Sequence, residues 1–152
     1  MIKIMFVCHG NICRSTMAEF WMKHVVKKAG REKEFYIASS ATSTEEIGNS
    51  VHHGTRKKLA EFNISTAGKQ AVQLTKADYE KYDYFLGMDS ANIRNMLRIF
   101  KSDPANKVYR LLDFTDDVRD IRDPWYTGNF DETFEDVSKG IDGLLQEIDK
   151  SE

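Results

Sequence analysis

The chain has 152 residues with 24 acidic against 22 basic side chains, a formal net charge of −2. That length suits one domain with a sizeable core, and the charge balance gives no electrostatic footprint for a nucleic acid. No apolar run approaches the ~20 residues of a membrane-spanning helix, the first residues lack a secretory pattern, and the two cysteines sit together rather than bridging distant segments, so a cytoplasmic protein without membrane insertion is expected.

Ile2-Lys3-Ile4-Met5-Phe6-Val7 is short and mostly apolar, the pattern of a buried strand. Cys8-His9-Gly10-Asn11-Ile12-Cys13-Arg14-Ser15 follows and leads into a helix that Ser15 or Thr16 can cap. From Met17 on, Ala18, Trp21, Met22, Val25, Val26 and Ala29 recur at three- and four-residue spacing. Lys23, Lys27 and Lys28 fall on the other side, and Gly30 stops the helix.

A loop between a strand's C-terminal end and a helix's N-terminus collects unpaired backbone N–H groups and favours an anion the size of phosphate. The same field, with a neighbouring cation, favours the sulfur anion of Cys8, the nucleophilic form. Arg14 offers a permanently charged planar fork for two phosphoryl oxygens at once. Gly10 is expected to supply the backbone angle that turns N–H groups inward, and Asn11 a tight or left-handed turn held by nearby backbone. Ser15 can donate its hydroxyl to the Cys8 sulfur. A nucleophilic sulfur beside an arginine clamp suits phosphoryl transfer.

Phe35-Tyr36-Ile37-Ala38-Ser39 predicts a second strand. A helix is expected from near Ser50, with Val51, Thr55, Leu59 and Phe62 at compatible spacing. Asp83 to Met88 and Lys107 to Leu111 predict two further strands, separated by a helix that Asp89 caps and whose apolar face is Ile93, Met96, Leu97 and Phe100. The acidic stretch Asp113 to Asp120 lacks periodicity and reads as a solvated loop, including Asp113, Asp116, Asp117 and Asp120. Asp123 differs: Pro124 pushes it out of helical geometry, and Trp125 and Tyr126 set an aromatic wall beside an acid. A last helix carries Phe134, Val137, Ile141, Leu144, Leu145 and Ile148 on one stripe, although Gly140 and Gly143 lower its intrinsic propensity.

The alternation of strands and helices predicts a single-domain α/β fold over residues 1–152. Its centre is a doubly wound four-stranded parallel sheet flanked by helices on both faces, with the phosphate-binding loop after the first strand.

The form C-x-G-N-I-C-R-S from Cys8 to Ser15 resembles the low-molecular-weight protein tyrosine phosphatase family. Asp123-Pro124-Trp125-Tyr126 is similar to that family's general-acid loop, and Leu74 to Tyr79 and Asp83 to Asp89 extend the resemblance over nearly the whole chain. The resemblance implies hydrolysis of protein phosphotyrosine and small aryl phosphates through a cysteinyl-phosphate. Cys8 would be the nucleophile, Arg14 the clamp and Asp123 the general acid and base, supported by Asn11 and Ser15. His9, Gly10, Ile12, Cys13, Trp125 and Tyr126 would contact the substrate. It implies phosphotyrosine proteins or peptides as partners, inorganic phosphate as product, and a monomer. In that family the cysteine matching Cys13 can pair with the nucleophile under oxidants; read from the residues alone, Cys13 is equally a small buried side chain.

Neither metal nor cofactor is expected. His9 with Cys8 and Cys13 lacks ligand spacing and a fourth ligand. His52 and His53 read as helix-surface residues, His24 as part of a cationic helix, and Gly68-Lys69-Gln70 lacks the glycine spacing and Ser/Thr of a nucleotide-binding loop. Three other readings weigh less. A thioredoxin-linked arsenate reductase needs cysteines after Cys13, a protein arginine phosphatase carries threonine where Ile12 stands, and a non-catalytic anion or redox module has no need of Asp123. The chain departs from the resembled family at His9, where an apolar residue is usual, at Glu45 and Glu46, where an aromatic often stands, and at Lys69, where some members carry a histidine. An acidic rim is expected to disfavour acidic phosphopeptides.

Overall fold

The computed structural model describes residues 1–151. Four parallel strands, β1 (Ile2–Cys8), β2 (Phe35–Ala41), β3 (Tyr84–Gly87) and β4 (Val108–Arg110), form one sheet in the order β2-β1-β3-β4. Five α-helices accompany them: α1 (Arg14–Lys28), α2 (His53–Ala60), α3 (Ser90–Phe100), α4 (Pro124–Thr127) and α5 (Phe130–Ser151). The expected α/β architecture is therefore present, with its four-stranded parallel sheet and flanking helices. Among the described residues, no helix is long and apolar enough to cross a membrane.

Strand periodicity of two divides β1 between two cores. Ile4, Phe6 and Cys8 face the larger one, with Met17 and Met22 of α1 and Val137, Ile141 and Leu144 of α5. Met5 and Val7 face the other, with Phe85, Met96, Phe100 and Tyr79. Central position explains why β1 is apolar on both sides. Its register with β2 runs from Ile2 opposite Phe35 to Cys8 opposite Ala41, and with β3 from Ile4 opposite Tyr84 to Val7 opposite Gly87. The chain leaves β1 for β2 on one side and later returns to β3 on the other. The C-terminal end of β1 is thus the point where strand order reverses, the crevice in which open α/β sheets bind ligands.

Several local expectations need correction. Neither Ser15 nor Thr16 caps α1: the helix begins at Arg14, Cys13 occupies the cap position without a side-chain bond, and the Thr16 hydroxyl donates back to the Cys13 carbonyl at 3.0 Å. The second helix starts at His53 rather than near Ser50, because His52 is its cap and Val51 is held buried in the preceding loop. Leu97 lies outside the core face of α3 and stays partly exposed.

Gly140 and Gly143 are not weaknesses that α5 tolerates but places of close approach. A Cβ at Gly140 would collide with the Leu111 side chain, and one at Gly143 with the Phe114 carbonyl. The acidic stretch is exposed in part yet firmly paired. Arg110 binds Asp113 and Asp120 at 3.1 Å each, Asp120 also accepts from the Ser90 amide, Arg119 bonds Asp117 and Asp136, and Lys139 lies 3.6 Å from Asp116.

Candidate active site

A cleft at the C-terminal end of β1 is lined by Cys8, His9, Gly10, Ile12, Cys13, Arg14, Glu45, Glu46, Asp123, Trp125 and Tyr126. All three residues expected to carry the chemistry, Cys8, Arg14 and Asp123, meet there, although 109 positions separate the last two. β1 delivers Cys8 and α1 begins with Arg14, so the loop between them closes on itself beneath the helix N-terminus.

Asn11 takes the expected left-handed turn, and Gly10 does not add one. Asn11 sits at φ 60°, a left-handed conformation that asparagine tolerates better than most residues, while Gly10 is not among the residues with positive φ. The requirement at Gly10 is space, because the Glu46 side chain would stand 3.3 Å from a Cβ there. Asn11 holds its left-handed backbone through the Val72 amide and two serine hydroxyls rather than through nearby backbone. Its Oδ1 accepts the Val72 amide at 3.1 Å, and its Nδ2 donates to the Ser15 hydroxyl at 2.8 Å and to the Ser39 hydroxyl at 2.9 Å.

Ser15 Oγ stands 3.0 Å from Cys8 Sγ, both buried. Because that oxygen already accepts from Asn11, its own proton is free to point at the sulfur, which is the donor direction that supports a sulfur anion. Behind this pair the chain of bonds continues: Ser39 donates to Glu19 at 2.5 Å, and Lys69 donates to the Ser39 carbonyl at 2.9 Å and lies 3.6 Å from Glu19. Burial pulls the Lys69 ammonium below its ordinary pKa, and Glu19 partly offsets that. In the sequence Lys69 stands out only as the position where some members of the resembled family carry a histidine, and neither Glu19 nor Ser39 is foreseen.

Arg14 is only 2 % exposed. Its Nη1 donates to Asp89 Oδ2 at 2.7 Å and to the Ile121 carbonyl at 2.8 Å, while Nη2 reaches Asp123 Oδ2 at a long 3.5 Å. One edge of the guanidinium is thereby anchored, which leaves Nε and Nη2 for a tetrahedral guest. Burial alone would lower its pKa, but Cys8, Asp89 and Asp123 around it more than offset this, so the charge is secure.

Asp123 caps α4, accepting the Trp125 amide on Oδ1 at 3.0 Å, with Pro124 in the first helical position. Its other oxygen is committed only to the weak Arg14 contact and faces the cleft. Trp125 and Tyr126 are 56 % and 84 % exposed and form an aromatic lip. Trp125 rests edge-on against His52, which stacks on Phe130. His52 is therefore no surface bystander. Its amide donates to the Ile12 carbonyl, its Nδ1 accepts from the Gly54 amide, and it ties the loop to the lip.

Cys13 is a free, buried thiol whose pKa is pushed up to about 12, first by burial and then by the nearby Cys8, so it stays protonated. On the rim, His9 Nε2 and Glu45 Oε2 are 2.6 Å apart and the Asn49 amide donates to Glu46 at 2.5 Å. Among the described residues no group of three or more His, Cys, Asp or Glu could hold a metal ion.

A family model described as low molecular weight phosphotyrosine protein phosphatase matches residues 3–152. The chain is 37% identical over 152 residues to the low molecular weight protein-tyrosine-phosphatase YfkJ of Bacillus subtilis, covering 99% of this chain and 97% of that one. It is 34% identical to PtpA of Staphylococcus epidermidis, with 99% and 96% covered. The crystal structure of the Bacillus subtilis protein superposes with a TM-score of 0.94 over 100% of this chain and 97% of that one. The Streptococcus pyogenes enzyme SP-PTP superposes with a TM-score of 0.86 at 38% identity, covering 97% and 93%.

Proposed function

The chain belongs to the low molecular weight phosphotyrosine protein phosphatase family, and from that premise we propose that it hydrolyses protein phosphotyrosine by two displacements at phosphorus centred on Cys8. The observation that carries this reading is the convergence of Cys8, Arg14 and Asp123 on one cleft, with a hydroxyl 3.0 Å from the sulfur.

In the first displacement the Cys8 sulfur attacks phosphorus. Arg14 and the loop amides hold the equatorial oxygens, and Asp123, protonated, gives its proton to the departing phenolate. Entry of the phosphoryl group replaces the 3.5 Å Arg14–Asp123 contact, which lies at the edge of hydrogen-bond range and is easily given up. In the second, Asp123 takes a proton from water as it attacks the cysteinyl-phosphate. Inorganic phosphate leaves, and the Ser15 hydroxyl supports the sulfur as it regains its charge. Trp125 and Tyr126 flank the aryl group.

The two cysteines share this cleft, which supports a reversible Cys8–Cys13 bond as protection against over-oxidation, and a reducing cytoplasm as the working compartment. A single domain acting as a monomer suffices, since one chain supplies every group named.

Hydrolysis of p-nitrophenyl phosphate without added metal, abolished in Cys8→Ser, tests the reading. Phosphotyrosine should be turned over in preference to phosphoarginine; the reverse order would assign a different substrate to the same cleft.

A further inference from the structure

The rim of the cleft carries two carboxylates in different states. Glu45 already has a partner in His9 at 2.6 Å, and its side chain is 69% exposed, where solvent screens it. Glu46 is half-buried, its Cγ lies against Gly10 of the phosphate-binding loop, and its carboxylate is held by the neutral Asn49 amide. Among the described residues no lysine, arginine or histidine lies within ion-pair distance of it. Glu46 is thus a fixed, uncompensated negative charge on the wall of a cleft whose floor is built for an anion.

That arrangement costs affinity for a bare phosphoryl group, since like charges in a cleft repel. The cost is offset when the ligand brings a cation to the same wall. The loop that carries Glu46 also exposes Ile47, and the opposite lip exposes Trp125 and Tyr126. These apolar surfaces suit a peptide chain on either side of the phosphorylated residue.

Resting on the catalytic reading above, we propose that Glu46 selects phosphotyrosine sites with a lysine or arginine beside the phosphotyrosine, the cationic side chain pairing with Glu46 while the phosphoryl group sits on Arg14. Glu45 contributes less because it is already hydrogen-bonded to His9 and lies out in screening solvent.

The test is kcat/KM at low ionic strength for two phosphotyrosine peptides, alike except that one carries lysines and the other glutamates beside the phosphotyrosine, with p-nitrophenyl phosphate assayed in parallel. The wild-type protein should favour the basic peptide by about tenfold. The ratio should shrink as salt shortens the Debye length from about 10 Å at 0.1 M to about 3 Å at 1 M. Glu46→Gln should bring it close to one and Glu46→Lys should invert it, whereas Glu45→Gln should keep most of it. Equal use of both peptides by a wild-type protein that hydrolyses p-nitrophenyl phosphate overturns this proposal alone, as does a ratio that Glu45→Gln abolishes and Glu46→Gln leaves intact. A wild-type protein inert toward all three substrates overturns the catalytic reading and this one with it.

Discussion

Asp89 accepts a 2.7 Å hydrogen bond from Arg14 Nη1 on one carboxylate oxygen and, on the other, the 2.8 Å bond from the Asn92 amide that starts α3. One side chain therefore aims the arginine clamp and caps a helix. The two duties separate by substitution. Asp89→Asn keeps a good cap and loses the charge facing Arg14, so thermal stability should stay near wild type while kcat/KM falls about 10–100-fold, the range for a hydrogen bond to a charged group. Asp89→Ala should lose the same activity and, in addition, about 0.5–2 kcal/mol of stability, read from urea unfolding.

Asp123→Ala should lower kcat by about 10²–10⁴-fold for poor phenol leaving groups and much less for good ones, since a proton is needed most by the most basic phenolate. A leaving-group series measured on wild type and variant reads this as a steeper dependence in the variant. A uniform loss across the series would place Asp123 outside the proton transfer.

At neutral pH a limiting amount of iodoacetate should alkylate Cys8 and spare Cys13. Burial and the neighbouring sulfur push the Cys13 thiol up to about 12, so its reactive anion is scarce. Peptide mapping of the labelled protein checks the assignment, and bound phosphate should protect Cys8.

His52 makes folding stability depend on pH. Burial first, then His53 and Arg56, hold its pKa below the ordinary value of 6.5. Below that pH the unfolded chain takes up protons that the folded one resists, so the His52 contribution is complete above about 6.5 and lost as pH falls from there toward the lower folded value. Asparagine can cap α2 without titrating. The drop in urea midpoint from pH 7 to pH 5 should therefore be smaller in His52→Asn than in wild type.

Gly143→Ala sets helix propensity against packing. Propensity alone predicts a gain of up to about 1 kcal/mol, but the new methyl group meets the Phe114 carbonyl, which is backbone and cannot swing aside. A net loss of about 1–3 kcal/mol is expected, measured as a lower melting temperature.

What the residues disclosed in advance depended on how local the physics was. Cys8 to Ser15 was legible because strand, loop, nucleophile and clamp are contiguous, and Asp123 because Pro124, Trp125 and Tyr126 travel with it. The Arg14–Asp89 bond joins positions 75 apart, and no spacing rule announces it. His52 was misread as a surface residue because, beyond the local Gly54 cap, its role is made by Ile12 and Phe130, which come from two other places in the chain. At Asn11 the left-handed turn was legible, whereas the demand for space at Gly10 is set by Glu46, which no local rule brings beside it. Gly140 and Gly143 likewise read as weak helix formers until Leu111 and Phe114 were seen against them.

Rapid quenching of turnover with a phosphotyrosine peptide, followed by mass spectrometry of the denatured protein, tests the role of the sulfur most directly. One phosphoryl group on Cys8, formed and lost at rates compatible with turnover and absent in Cys8→Ser, is the expected result. Catalytic turnover in Cys8→Ser, or a phosphoryl group on any other side chain, would contradict it.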